Sequence, residues 1–210
     1  INSSLDIQMT LGILLDQVCS QLEIDAASVL QMDPYLHTLE YVSAKGFHSR
    51  DNLGTTIRLG EELAGKIGLE RERLQIHDYQ EYPNNEIIPQ FLRTEGFQAY
   101  IGLPLIAKGK LNGVLEIHNR IPLDPDQEWL DFLETLAGQT AIAIDNSEMF
   151  NYLRQSNIDL AQAYDATIEG WARALEFRDM ETEGHSRRVV ELTIQIAQAM
   201  GIESAELAQI

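Results

Sequence analysis

The chain has 210 residues, 44% of them hydrophobic, and a formal charge of −18, so it holds enough apolar material for a real core. That charge opposes nucleic acid or anionic membrane as a general partner, because a polyanion is repelled unless a local basic patch overrides the field. The lysines Lys45, Lys66, Lys108 and Lys110 form no such patch. No apolar run approaches the roughly 20 residues that cross a bilayer, and the single Cys19 allows no internal disulfide, which fits a reducing, cytoplasmic setting.

Domains commonly run to roughly 100–150 residues, so this length suits one and a half of them. The first residue is Ile1, and the chain stops at Ile210 within a helical pattern, which is expected of a piece of something longer.

In chain order, Ile7, Leu11, Leu14, Leu15, Val18 and Leu22 make one apolar stripe and predict an amphipathic helix. Cys19 lies on that stripe as a small core residue. Runs at Ala26 to Met32 and Leu39 to Ala44 predict two strands joined by a turn at Pro34 to Thr38. A weakly patterned stretch, Thr55 to Leu59, offers a further strand. A short helix at Glu61 to Gly68 leads to a strand at Leu74 to His77, closed by Asp78. Ile88, Phe91 and Leu92 give helical spacing between Ile87 and Glu95, capped by Gly96.

The clearest local signal is Ala99 to Asn119, where two alternating strands meet across Lys108-Gly109. With those two residues as the loop, Leu105 faces Asn112, Leu103 faces Val114 and Ile101 faces Glu116. In that register the face with Ile101 and Glu116 lines a cavity. The opposite face, with Tyr100, Gly102, Ile106, Leu115 and Ile117, lies under helices.

Asp124-Pro125-Asp126 then opens a long helical stretch to Arg178. Leu130, Leu133, Ala137, Thr140 and Ile144 form one seam, and Phe150, Leu153, Leu160, Tyr164, Trp171 and Ala174 a second in a different register. The polar run Asp145-Asn146-Ser147-Glu148 marks the mismatch and predicts a break or overwound turn. Stripes of this extent predict a homodimer through Ile7-Leu22 and Asp126-Leu175, which Asp at Leu14 and Leu133 should dissociate.

The order of elements resembles a GAF domain over about residues 5 to 150, which sets a domain at 1–150, and matches best at Ile-Gly-Leu-Pro-Leu (101 to 105), Gly109, Gly113-Val114-Leu115 and the helix with Leu133, Ala137, Gln139 and Ala141. The resemblance implies an α+β fold, a six-stranded antiparallel sheet with helices on both faces, that senses a small molecule. Candidate pocket residues are His77, Asp78, Phe91, Ile101 and Glu116. Members that bind cyclic nucleotides carry Asn-Lys, a Phe and Asp-Glu. Here those positions read Asn119, Arg120, Leu123, Gln127 and Glu128, three of them departures. A bilin would need a cysteine nearer the pocket than Cys19, and a haem a histidine such as His77 or His118. With Glu116 at the rim of an apolar cavity, a neutral or cationic ligand is expected over a cyclic nucleotide. The sequence leaves its identity unknown.

Residues 151–210 add a linker helix and a fragment that resembles the opening of an HD-GYP domain, from Ala174-Leu175-Glu176-Phe177-Arg178 through Gly184-His185-Ser186-Arg187-Arg188-Val189. That family hydrolyses cyclic di-GMP with iron or manganese. The resemblance implies Glu181 and His185 as metal ligands, and their four-residue spacing would put both on one helix face. Two ligands do not hold a catalytic ion, so the chain as it stands is expected to be inactive, with no cofactor of its own. The alternative is a stand-alone small-molecule-binding dimerisation module with no enzymatic output.

Overall fold

A computed structural model describes residues 2–49, 53–82, 87–178 and 185–201, with side chains described from residue 7 onward except 176–178, 186 and 187. The elements are α1 (Asn2–Leu22), β1 (Ala26–Asp33), β2 (Thr38–Lys45), β3 (Thr56–Arg58), α2 (Glu62–Glu70), β4 (Leu74–Ile76), α3 (Gln90–Thr94), β5 (Ala99–Ala107), β6 (Lys110–Asn119), α4 (Gln127–Arg178) and α5 (His185–Ala199). Contacts divide them into two units, Ile1–Asn151 and Tyr152–Ile210. Among the described residues no helix is long and apolar enough to cross a membrane.

The first unit is an antiparallel six-stranded sheet in the order β3-β2-β1-β6-β5-β4, with apolar side chains on both faces. On one face Ala27, Val29, Ile101, Leu103, Leu115 and Ile117 pack with Leu11, Leu15 and Val18 of α1 and with Leu133, Ala137, Ala141 and Ile144 of α4. On the other, Leu30, Leu39, Tyr100 and Val114 meet Leu63 and Ile67 of α2 and Leu92 of α3. The sequence-derived stripe of α1 and the first seam of α4 are therefore spent inside this unit. They form core that covers the sheet, while Met9 and Ile13 of α1 and Ile142 of α4 stay exposed.

Three local expectations change. Strand pairing starts as predicted, with Ala107 opposite Lys110 and Ile106 opposite Leu111, but it then slips, placing Leu105 opposite Gly113, Ile101 opposite Ile117 and Gly102 opposite Glu116. The extra residue is Asn112, buried, whose side-chain amide donates to Ala141 O of α4 at 3.2 Å. A bulge accommodates one unpaired residue and exchanges the two faces of one strand relative to the other. Glu116 stays on the face away from α1 and α4, whereas Ile101 turns beneath those helices and Tyr100 turns out from them.

Second, α4 is helical through residues 145–148, with no break. The polar run is where the helix passes the β5–β6 turn: Asp145 takes Lys108 at 2.9 Å, and Glu148 takes Lys110 at 2.6 Å and the Gln31 amide at 3.0 Å. Asp126 caps its start by accepting the Trp129 N–H at 2.9 Å. Third, the helix expected from Ile87 shortens to α3, because Pro89 stands at its N-cap in an extended conformation.

Candidate ligand cleft

The loop after β2 builds one wall of a cleft. Gly46 turns it at φ +82, where a Cβ would stand 2.0 Å from Asp25 O, so only glycine fits. Phe47 follows, its ring 5.3 Å from those of both Phe97 and His118. The Glu95 carboxylate then holds the loop by accepting the backbone N–H groups of His48 (2.8 Å) and Ser49 (2.9 Å). Burial pushes that carboxyl up, but these two N–H groups and the His48 ring outweigh it and leave it below the ordinary carboxylate value. Arg120 lies 3.7 Å from the same carboxylate, 3.6 Å from Asp25 and 4.7 Å over the Phe97 ring.

Opposite this wall stands the start of α2, where Glu62 is held at φ +53, an uncommon conformation for a residue with a side chain. Between the walls lies a cleft of about 400 Å³, lined by Tyr41, Phe47, Ser49, Thr55, Thr56, Ile57, Glu62, Phe91, Thr94 and Glu95. Three of its lining residues are aromatic, Tyr41, Phe47 and Phe91, with Tyr41 and Phe91 meeting edge to face at 6.2 Å.

Close to this cleft a polar cluster is shut away from water. Glu116, 1% exposed, accepts hydrogen bonds from Ser28 Oγ and Tyr100 Oη, both at 2.9 Å, and the His118 Nε2 atom lies 3.8 Å away. Burial by itself raises the Glu116 carboxyl. The imidazole of His118 and the hydroxyls of Ser28 and Tyr100 overcome that and hold it below its ordinary value, as a carboxylate. Its charge, after burial, raises Tyr41, Tyr79 and Tyr100. The Tyr79 hydroxyl and both ring nitrogens of His118 are buried without a hydrogen-bond partner among the described residues.

Of the residues expected to line a pocket, the structure puts Phe91 in the cleft wall. Glu116 is on the correct sheet face but is buried, not at a rim. Ile101 lies in the opposite core because of the bulge. His77 is exposed and ties β4 to the segment before α4, contacting Leu123 O through Nδ1 and Asp124 at 3.1 Å through Nε2. Asp78 accepts the Gln80 N–H at 2.8 Å in a turn. Tyr41, Phe47 and Glu62, unremarked in the sequence, make up much of the cleft. Only the alternation of strand β2, which puts Leu39 and Tyr41 on one side, could have pointed to any of them.

Burial first, then the nearby Asp16, raises the Cys19 thiol to about 11, which suits a packing residue more than a nucleophile. Glu181 lies outside the described residues, and His185 is exposed at the start of α5. No group of three or more metal-ligating side chains occurs among the described residues.

A six-stranded antiparallel sheet lies between a two-helix layer and a cleft made by short helices and loops. The GAF domain family profile matches residues 6–144, and the chain belongs to that family. A phosphoenolpyruvate-dependent phosphotransferase system protein of Escherichia coli K12 is 27% identical over 169 residues, 78% of this chain. The chain spans 22% of that relative's length. The GAF domain of an Acinetobacter phosphoenolpyruvate-protein phosphotransferase superposes with a TM-score of 0.61 at 22% identity, over 70% of this chain and 86% of that one. The corresponding domain from Coxiella burnetii gives 0.62 at 22% identity, with the same coverage. At such identity the likeness is one of fold.

Proposed function

We propose that residues 1–150 are a cytoplasmic sensory module whose cleft binds a small molecule, and that the helix α4 carries its state to an output domain. The observation behind this reading is the cleft of about 400 Å³ with aromatic walls beside a buried, charged polar cluster. Ligand sites have this make-up: concave, mostly apolar, with a few placed polar groups. A ligand biases the output only by binding one state of the module better than another.

The second seam of α4 supplies a partner surface of its own. Leu160, Ala163, Tyr164, Thr167, Ile168 and Trp171 form an exposed apolar groove of about 360 Å³. Phe150, Tyr164 and Trp171 fall on a seven-residue spacing with Asn157 between them, and a single polar residue at a seam position sets register in parallel helical dimers. We assign this face to a second copy of the chain.

For the output, the likeness of residues 174–189 to the opening of an HD-GYP domain favours a cyclic di-GMP phosphodiesterase that holds iron or manganese through ligands including Glu181 and His185. The phosphotransferase relatives favour the other reading, regulation of a phosphotransferase.

A thermal-shift screen of cellular metabolites tests the sensory reading. A hit should lose its shift in Thr94→Arg, which fills the cleft from the exposed side of α3. Hits that all survive this change would place binding elsewhere. Sequencing the gene beyond Ile210 decides the output, since an HD-GYP enzyme needs its His-Asp pair there.

A further inference from the structure

The charge of the cleft is one-sided. Among its described lining residues are two carboxylates, Glu62 and Glu95, and no lysine, arginine or histidine. Glu95 is already matched by the His48 and Ser49 N–H groups and by Arg120. Glu62 is not: no described residue forms an ion pair with it. It is surrounded instead by like charge. After burial, the neighbouring carboxylates Glu116 and Glu61 raise its pKa, so each disfavours its ionised form. A cation in the cleft would reverse that penalty.

The walls fit the same class of ligand. Tyr41, Phe47 and Phe91 present three aromatic rings, and the negative faces of such rings attract ammonium groups, the more so where water is excluded. Tyr41 links the two sources of charge, since its side chain lines the cleft and its phenol interacts with the Glu116 carboxylate. The unpartnered Tyr79 hydroxyl belongs to the same electrostatic group, its proton held by burial and by Glu116. A phosphate or carboxylate would meet the reverse of each of these interactions, with no described basic lining side chain to receive it. The overall charge of −18 raises the local concentration of cations further.

We propose that the cleft takes a small organic cation, an amine or quaternary ammonium on an apolar body, with Glu62 as counter-ion and Tyr41, Phe47 and Phe91 as the surrounding wall. This rests on the cleft being the sensory site.

The test uses three probes of one shape and different charge, phenethylamine, phenethyl alcohol and 3-phenylpropionate, titrated into the full chain at pH 7 and followed by NMR shifts. Phenethylamine should saturate and move the signals of Tyr41, Thr56 and Phe91, with 3-phenylpropionate at least about tenfold weaker, the scale of one charge-assisted hydrogen bond. Glu62→Gln should weaken phenethylamine by about tenfold and leave phenethyl alcohol unchanged. Equal or tighter binding of the alcohol or the acid at these residues overturns the cation and keeps the cleft as a ligand site. Silence of the cleft signals to all three probes removes both. Amine shifts that spread over the surface without saturating and ignore Glu62→Gln also overturn it, as attraction to net charge alone.

Discussion

Tyr100 and Glu116 are diagonal neighbours on adjacent strands, joined by a 2.9 Å hydrogen bond that exists because the residue opposite Glu116 is Gly102. A Cβ at position 102 would stand 2.6 Å from the Tyr100 hydroxyl and 2.2 Å from Ile67 Cδ1 of α2. The missing side chain at Gly102 thus leaves the space in which a phenol reaches a buried carboxylate, with Ile67 of α2 packed over it.

Gly102→Ala should accordingly destabilise the first unit by about 1–3 kcal/mol, the usual cost of overpacking a full core. Urea titration measures the loss. Stability equal to that of the parent would show that Ile67 and Tyr100 move aside freely.

Glu116→Gln tests the buried charge through pH. The folded carboxyl lies below its ordinary value of 4.5, so its contribution to stability is complete above the unfolded value and is lost as pH falls through the folded one. The parent should therefore lose stability on acidification below about pH 4.5 more steeply than Glu116→Gln does. At pH 7 the variant should be weaker by roughly 1–3 kcal/mol, because the hydroxyls of Ser28 and Tyr100 donate to an acceptor that is no longer charged. Parallel stability curves would remove the assigned role of the ionised carboxylate.

Glu95→Ala should release the cleft wall locally. Hydrogen exchange at the His48 and Ser49 amides should quicken, since their acceptor is gone, while the Tyr79 and Gln98 amides, held by Gln98 O and Asn119 O, keep their protection. If all four quicken together, Glu95 supports the whole unit and not the loop.

Self-association should depend on the exposed seam. Leu133, chosen from the sequence as a dimer position, is fully buried against the sheet, so Asp there should unfold the unit. Tyr164→Asp with Trp171→Asp, at positions more than half exposed, should instead yield folded monomers in sedimentation equilibrium at tens of micromolar, a concentration on the order of weak-dimer affinities. A parent chain that is already monomeric at that concentration would exclude the second copy as occupant of this face.

The sequence alone determined the element order, the amphipathic α1, the hairpin loop at Lys108-Gly109 and the helical character of residues 127–178, because period and turn chemistry are local properties. Along β6 it also separated Leu115 and Ile117 from Glu116 correctly. It misplaced Ile101 because a bulge at Asn112 answers to an acceptor on α4, Ala141 O, far away in the chain. It expected a break at residues 145–148, whose carboxylates are explained only by Lys108 and Lys110 across the hairpin. The cleft was decided by tertiary structure in the same way. Tyr41, Phe47, Glu62 and Phe91 come from β2, the loop after it, the start of α2 and α3, and nothing in their spacing along the chain says that one wall of like charge and aromatic rings will close around a single cavity.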